Sequence, residues 1–207
     1  MTQFKTEQEA FWAGEFGNEY IGRNGEEVFL QTDVAFFSTV LRSIGRIESC
    51  IEFGCNIGLN LRALNSLDPR MSQHAVEINA QAAEQARQAL PDLDLHHGSI
   101  LEYESSVACD LSISKGVLIH ISPDELNKFY DRLYKHSSRY ILVAEYYNPK
   151  PVAIPYRGHK DKLFKRDFAG EMMDRFSDLE LHDYGFVYHR DPMFPQDDMN
   201  WFILRKA

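Results

Sequence analysis

Cys50-Ile51-Glu52-Phe53-Gly54-Cys55-Asn56-Ile57-Gly58 runs from apolar residues into an acid, then into a glycine-spaced turn, and a helical pattern starts at Leu59. That order is strand, tight turn, helix, the opening unit of a parallel α/β sheet. Gly54 and Gly58 allow a sharp turn and a close approach of backbone to a ligand, where a side chain would collide. The helix that follows would aim its unpaired N–H groups at the same place. A short turn in any α/β domain would share these features, so the rest of the chain must carry the argument.

Downstream, strands and helices alternate. Leu61, Leu64 and Leu67 mark the buried face of the first crossover helix, which Asp68-Pro69 ends. Gln73 to Asn79 reads as a second strand closing on the acid Glu77, with Asn79 capping the next helix. Leu93 to His96 is a short third strand, Asp110 to Ser114 a fourth, and Arg139 to Glu145 a continuously apolar fifth. Between the last two, Ser122-Pro123-Asp124-Glu125 has the composition of a helix start, with Ser122 as cap. The tail differs. After a helical stretch from Phe168 to Phe176, strands from Leu179 to Tyr188 and from Asn200 to Arg205 follow without a helix between them, which predicts a terminal hairpin.

Upstream, Trp12, Phe16 and Tyr20 recur at helical spacing, interrupted by two glycines, Gly14 and Gly17. Phe29, Leu30, Val34, Phe37, Val40, Leu41 and Ile44 fit a helix over 26–44 that Gly45 stops. Residues 1–45 are therefore expected to form a helical lid region, residues 146–166 an insert over the site, and the whole of 1–207 a single domain.

Composition excludes several classes. A net charge of −9 argues against a nucleic-acid partner, because a phosphate backbone wants a basic footprint. No apolar run approaches the ~18 residues that cross a membrane, and Met1 to Glu7 has no apolar signal core, so a cytoplasmic location is expected. The three cysteines, Cys50, Cys55 and Cys109, sit in or beside predicted buried strands and lack zinc spacing; they read as reduced core thiols, with no metal site. A monomer or homodimer acting on a small molecule fits this profile.

The spacing E-x-G-x-N-x-G resembles motif I of the class I S-adenosylmethionine (SAM) dependent methyltransferases, commonly [DE]-x-G-x-G-x-G, with Asn56 in place of the middle glycine. A parallel sheet finished by an antiparallel hairpin fits that class and not the dinucleotide oxidoreductases. The implied architecture is a Rossmann-like α/β class I methyltransferase fold, a mostly parallel seven-stranded sheet with a C-terminal antiparallel hairpin. Ligands of such sheets bind at the carboxyl ends of the strands. The resemblance implies SAM as cofactor and S-adenosylhomocysteine as product, held by Glu52, Gly54, Cys55, Asn56 and Gly58. Glu77 would accept the ribose hydroxyls beside Ile78. Gly98, Ser99 and Ile100 would meet the adenine, although Ser99 stands where many members carry Asp. Lys115 and Gly116 lie beside the methyl group, and Trp12, Tyr20 or Arg23 from the lid would reach the methionine end.

His120 is a candidate general base, since a neutral imidazole takes a proton near pH 7; a histidine held by backbone at a helix start is the structural alternative. Tyr146, Tyr147 and Asn148 follow the fifth strand and would line the acceptor pocket, the tyrosines shielding the positive sulfur. The insert from Ile154 to Arg166 is rich in cations within an acidic chain. Arg157, His159 and Lys160, with His189 and Arg190 of the hairpin tip, would hold an anionic acceptor.

The later segments narrow the resemblance. Lys115-Gly116-Val117-Leu118-Ile119-His120-Ile121, Ala144-Glu145-Tyr146-Tyr147-Asn148-Pro149, the run from Tyr156 to Glu171, and Tyr184 to Asp191 resemble the pseudaminic acid biosynthesis-associated methylases over nearly the whole chain. That implies a nonulosonic sugar acid, or its nucleotide-activated form, as acceptor. A methylase of another amino- or guanidino-bearing metabolite or peptide, a SAM-binding protein without catalysis, and a dinucleotide enzyme are the other readings.

Overall fold

Five parallel strands form most of the sheet, because each is apolar enough to be covered on both faces by crossover helices. The computed structural model describes residues 4–22 and 26–207. The strands are β1 (Ser49–Phe53), β2 (Ser72–Glu77), β3 (Asp94–His97), β4 (Cys109–Lys115) and β5 (Ser137–Glu145), with β8 (Leu179–Val187) and β9 (Met199–Lys206) at the end. Their order is β3-β2-β1-β4-β5-β9-β8. β9 lies antiparallel to both β5 and β8. The chain steps outward from β1 to β3 and then returns to β4, so the carboxyl ends of β1 and β4 flank the switch point where such sheets hold ligands.

Helices α3 (Glu26–Ile44), α4 (Leu59–Leu67) and α5 (Ala80–Ala89) cover one face, and α6 (Leu126–Lys135) and α7 (Phe168–Arg175) cover the other. Phe36, Phe37, Val40 and Ile44 of α3 are buried in the first core with Leu61 and Leu64 of α4. This corrects the expectation that all of 1–45 forms a lid: α3 is a core helix, and the lid consists of α1 (Glu7–Ala13) and α2 (Glu15–Ile21).

Local signals behave as their chemistry requires. Asn79 caps α5, its side chain accepting from the amides of Gln81 and Ala82, each at 3.0 Å. Gly45 takes φ 73° after α3, and its N–H donates to Leu41 O at 2.8 Å. The expected cap at Ser122 does not form. Residues Pro123–Glu125 make a 3-10 turn, the Ser122 side chain accepts no capping hydrogen bond, and α6 begins at Leu126. The three cysteines are buried and free.

The segment read only as an insert is a second, two-stranded sheet, β6 (Val152–Tyr156) against β7 (His159–Lys165). Its tip is Arg157-Gly158, with φ of 50° and 86°, the left-handed pair that a two-residue hairpin turn needs. Among the described residues no helix is long and apolar enough to cross a membrane.

Candidate active site

The glycine-spaced turn after β1 forms one wall of a cavity of about 520 Å³, within the ~300–1,000 Å³ range of small-molecule pockets. Gly54 and Gly58 both take left-handed φ, 79° and 78°. A Cβ on Gly54 would sit 2.7 Å from Val117 Cγ2, so only glycine lets this turn pack on the turn after β4. Asn56 also takes φ 50°, which asparagine tolerates better than other side chains. Its own Oδ1 accepts from Ile57 N–H at 2.7 Å, which explains how it replaces a glycine.

Glu77 closes β2 and borders the cavity. It accepts from the amides of Asn56 and Asn79, each at 2.7 Å, so it locks the turn after β1 to the start of α5. Burial raises its pKa above the usual carboxylate range, while these amides oppose the rise. Ile78 and Ile100 line the same end, with Leu101 beside them. Ser99 does not line it; its hydroxyl donates to the Glu9 carboxylate of α1 and accepts from Leu101 N–H at 3.1 Å. Gly98 also stays outside, its N–H on Glu77 O at 2.9 Å.

At the other end, Lys115 closes β4 and pairs with Asp33 of α3 at 2.9 Å. Gln196, which precedes β9, donates to Thr32 O at 3.0 Å. Glu52 lies beneath this corner, 1% exposed, with Asn60 Nδ2 donating to its Oε1 at 2.6 Å. Burial pushes Glu52 up to about 8, opposed by Asn60 and Lys115. Glu52 Oε2, Asn60 Oδ1 and Gln196 Oε1 are buried acceptors without a partner among the described residues. Buried polar atoms normally find partners; Asn60 and Gln196 line the cavity, and their free acceptors fit a donor group on a ligand. Gly116, at φ 71°, has nothing within 4 Å of where a Cβ would stand.

The lid closes the top. Trp12 packs edge-on against Phe16 and Tyr20, with centroids 5.4 and 5.2 Å away, and lies 4.5 Å from the His120 ring. Gly17 makes this possible: a Cβ there would fall 1.9 Å from Trp12 O and 2.8 Å from Asn79 Nδ2. Asn79 Nδ2 donates to Trp12 O at 3.1 Å and Asn18 Oδ1 at 2.8 Å, so the residue that caps α5 also ties down the lid. Trp12 and Tyr20 line the cavity as expected. Arg23, the third lid residue expected there, lies outside the described residues.

His120 sits on a 3-10 turn, Leu118–His120, and borders the cavity. Its Nδ1 lies 2.6 Å from Lys162 O. A carbonyl only accepts, so the ring proton is on Nδ1 and Nε2 keeps its lone pair. Burial lowers the imidazole to about 4, leaving it neutral at pH 7. Glu145 holds the turn from below, accepting from Ser114 Oγ at 2.7 Å and from the amides of Val117 and Leu118, each at 3.0 Å. Burial lifts Glu145 to about 7, against those donors.

The expected acceptor residues are not all brought together. Arg157 and His189 line the cavity; His159, Lys160, Arg190, Tyr146, Tyr147 and Asn148 do not. His159 packs instead on Phe11 of the lid, 4.9 Å between centroids. Lys160 is exposed on the hairpin and Arg190 on the loop after β8. Tyr146 gives its hydroxyl to Asp197 Oδ2 at 2.8 Å, and that bond together with burial keeps its pKa well above the normal phenol value. Tyr147 faces outward, against Phe202 at 6.0 Å. Asn148 Nδ2 donates to Lys150 O at 2.6 Å. The cationic run is largely spent on structure: Lys162 pairs with Glu7 at 3.4 Å and Arg166 with Glu171 at 2.6 Å. Asp33 was missed, although it interrupts the apolar stripe of α3 and so signals a buried partner. Glu9 and Gln196 leave no such periodic trace.

No family model and no curated protein sequence matches the chain. Solved structures do. A magnesium protoporphyrin IX methyltransferase from Synechocystis PCC 6803 superposes with TM-score 0.71 at 11% identity, covering 97% of this chain and 100% of that one. The Burkholderia thailandensis 1,6-didemethyltoxoflavin-N1-methyltransferase gives 0.71 at 11%, covering 96% and 87%. An amino pentose methyltransferase from Micromonospora echinaspora gives 0.64 at 11%, covering 93% and 96%. The chain therefore has the Rossmann-like α/β fold of methyltransferases.

Proposed function

We propose that this protein is a SAM-dependent methyltransferase acting on a small anionic acceptor. The observation that carries the reading is the convergence of four features on one cavity: the Gly54 turn, the Glu77 carboxylate, the apolar Ile78 and Ile100, and the acceptor-rich corner at Asn60 and Gln196. A carboxylate at the end of β2 suits a ribose diol. Flat apolar walls beyond it suit a purine. Lys115 offers a cation for a carboxylate, and the free acceptors beside it suit an ammonium group. These are the parts of an amino-acid-bearing nucleoside, in that order along the cavity. The three related structures described above carry methyltransferase names, which adds support at the level of fold.

When bound, the cofactor supplies a methyl group activated for nucleophilic capture. The chain's own residues do the rest. Arg157 and His189 at the mouth hold the acceptor's anionic group, Arg157 by a two-pronged grip. His120 Nε2 accepts the proton that the acceptor's attacking oxygen or nitrogen releases. Trp12, Tyr20 and Tyr156 exclude water above it. A nonulosonic sugar acid or its nucleotide-activated form supplies the required negative charge and the hydroxyl or amine, and the amino pentose methyltransferase among the matching folds is named for a sugar acceptor.

Calorimetry with S-adenosylhomocysteine tests the cofactor assignment. Wild type should bind it, and Glu77→Ala should bind more weakly by about 1.5–3 kcal/mol, the range for a hydrogen bond to a charged group. No binding by folded wild type rejects the reading. A screen of sugar-acid and nucleotide-sugar acceptors with labelled SAM tests the acceptor.

A further inference from the structure

Glu9 belongs to the lid, not to the sheet, yet its carboxylate reaches the far end of the cavity beyond β3. Three bonds fix it there. Ser99 Oγ donates to its Oε1, Lys5 N–H donates to its Oε2 at 2.8 Å, and its own amide donates to Thr6 Oγ1 at 3.1 Å. Glu9 is 8% exposed and lines the cavity beside Ile100 and Leu101. A buried carboxylate beside the aliphatic Ile100 and Leu101 is costly unless it meets donors. Two donors face it from the protein. Each carboxylate oxygen has a second lone pair, so acceptor capacity remains for a ligand.

We infer that Glu9 reads the amino edge of the cofactor's purine, so that the lid itself supplies the specificity for adenine over a 6-keto purine. The inference rests on the proposed function and goes beyond it. The geometry gives the direction: with the ribose on Glu77, the base extends away from the β1 turn toward the end of β3, between Ile78 and Ile100. The group that meets its outer edge is then Glu9, oriented by Ser99. An ionised carboxylate only accepts hydrogen bonds. Adenine presents an amine that donates at that edge, whereas hypoxanthine presents a carbonyl oxygen that would face the carboxylate with no proton between them. Ser99, which stands after β3, acts as a positioning residue because its hydroxyl is already committed to Glu9 and to Leu101 N–H. A second consequence concerns the lid. Since the reader of the base is on α1, a correct base adds a bond that holds α1 down, and an incorrect one removes it.

The test is a comparison of two ligands, S-adenosylhomocysteine and its deaminated analogue S-inosylhomocysteine, by calorimetry on the full chain. Wild type should prefer the adenosyl ligand on the order of ten- to a hundredfold, the equivalent of one hydrogen bond to a charged group. Glu9→Gln introduces a donor in place of an acceptor, so the preference should fall toward unity or invert, with the inosyl ligand gaining. Glu9→Asp keeps the charge but withdraws it by a methylene; it should weaken both ligands less than Glu9→Gln reorders them. If folded Glu9→Gln keeps the wild-type ratio, the inference is wrong. Should Glu9→Gln fail to fold, the wild-type ratio alone still decides: equal affinity for the two ligands overturns the role of Glu9 and leaves the cofactor assignment standing. Failure of wild type to bind either ligand overturns both.

Discussion

Glu52→Gln should change how stability depends on pH, by an amount that the site's geometry fixes. Glu52 is 1% exposed and has one donor, Asn60 Nδ2 at 2.6 Å; its Oε2 has none. Asn60 Oδ1 is likewise without a partner. Burial pushes the acid up to about 8, against the Asn60 hydrogen bond and the nearby Lys115. In the unfolded chain the same group titrates near ~4.3. Between those values the folded state holds a proton that the unfolded state has released, so stability falls as pH rises through the interval, at about 1.4 kcal/mol per pH unit. Other groups act in the range, Glu77 raised and His136 lowered among them, and are common to wild type and variant. His120, lowered to about 4, works in the opposite direction below its unfolded value near ~6.5, and Glu145, raised to about 7, works in the same direction up to that pH. Both are present in wild type and variant and cancel in a difference. From pH 6.5 to 8 the variant should therefore gain about 2 kcal/mol on wild type, with the difference level above that. Urea unfolding of both proteins without ligand, at half-unit steps from pH 6 to 9, measures it. A difference that stays constant across this range would mean that Glu52 is ionised in the fold, and the account of burial holding a proton on it would lose its basis.

His120→Ala should lower kcat on the order of 10²- to 10⁴-fold with S-adenosylhomocysteine affinity unchanged; wild-type activity should stay level as pH falls through 6.5, because burial holds the imidazole near about 4. Turnover within a few-fold of wild type would make His120 a structural residue. Gly17→Ala should weaken cofactor binding at least on the order of tenfold, since its Cβ would meet Trp12 O at 1.9 Å and dislodge α1 and α2. The urea midpoint should hardly move, because both cores lie beneath the lid. Arg157→Gln should raise acceptor KM and leave cofactor affinity alone, and added salt should act in the same direction on wild type; an unchanged KM with an uncharged best acceptor would remove the anion from the proposal.

The sheet was legible because its signals are local and periodic. Apolar runs of strand length, an acid closing β2 and an Asn that caps α5 each state their own structure without reference to distant residues. The glycine-spaced turn after β1 was legible for the same reason, but the bond from Ile57 N–H to the Asn56 side chain was not. The lid was half legible: Trp12, Phe16 and Tyr20 announced an aromatic cluster, but Gly17 read as a helix breaker when its function is to admit Trp12 O and Asn79. What local pattern could not reveal were bonds across large sequence separations. Glu9 meets Ser99 over 90 residues, Lys115 meets Asp33 over 82, and Gln196 meets Thr32 over 164.

The cationic insert shows the same limit from the other side. Read as composition, seven consecutive positions with three lysines and a histidine beside Arg157 imply a surface waiting for an anion. Folded, β7 is exposed over His159–Asp161 and buried over Lys162–Phe164, so its cations take different tasks. Lys162 is drawn beneath the lid to Glu7 and over the Phe11 ring at 5.6 Å, while Lys165 lies 4.9 Å over Tyr146. His159 becomes part of the lid's aromatic contact. The hairpin tip escapes this. Arg157 is held in the left-handed region at φ 50°, a conformation an arginine adopts at some cost. Arg157, at this tip, is the one residue of the cationic run among the described residues that lines the cavity. The charge that matters to an anionic acceptor is thus set by the turn that presents Arg157 and not by the density of charge around it. Of the remaining cations, Lys162 fastens the roof under which the acceptor would lie.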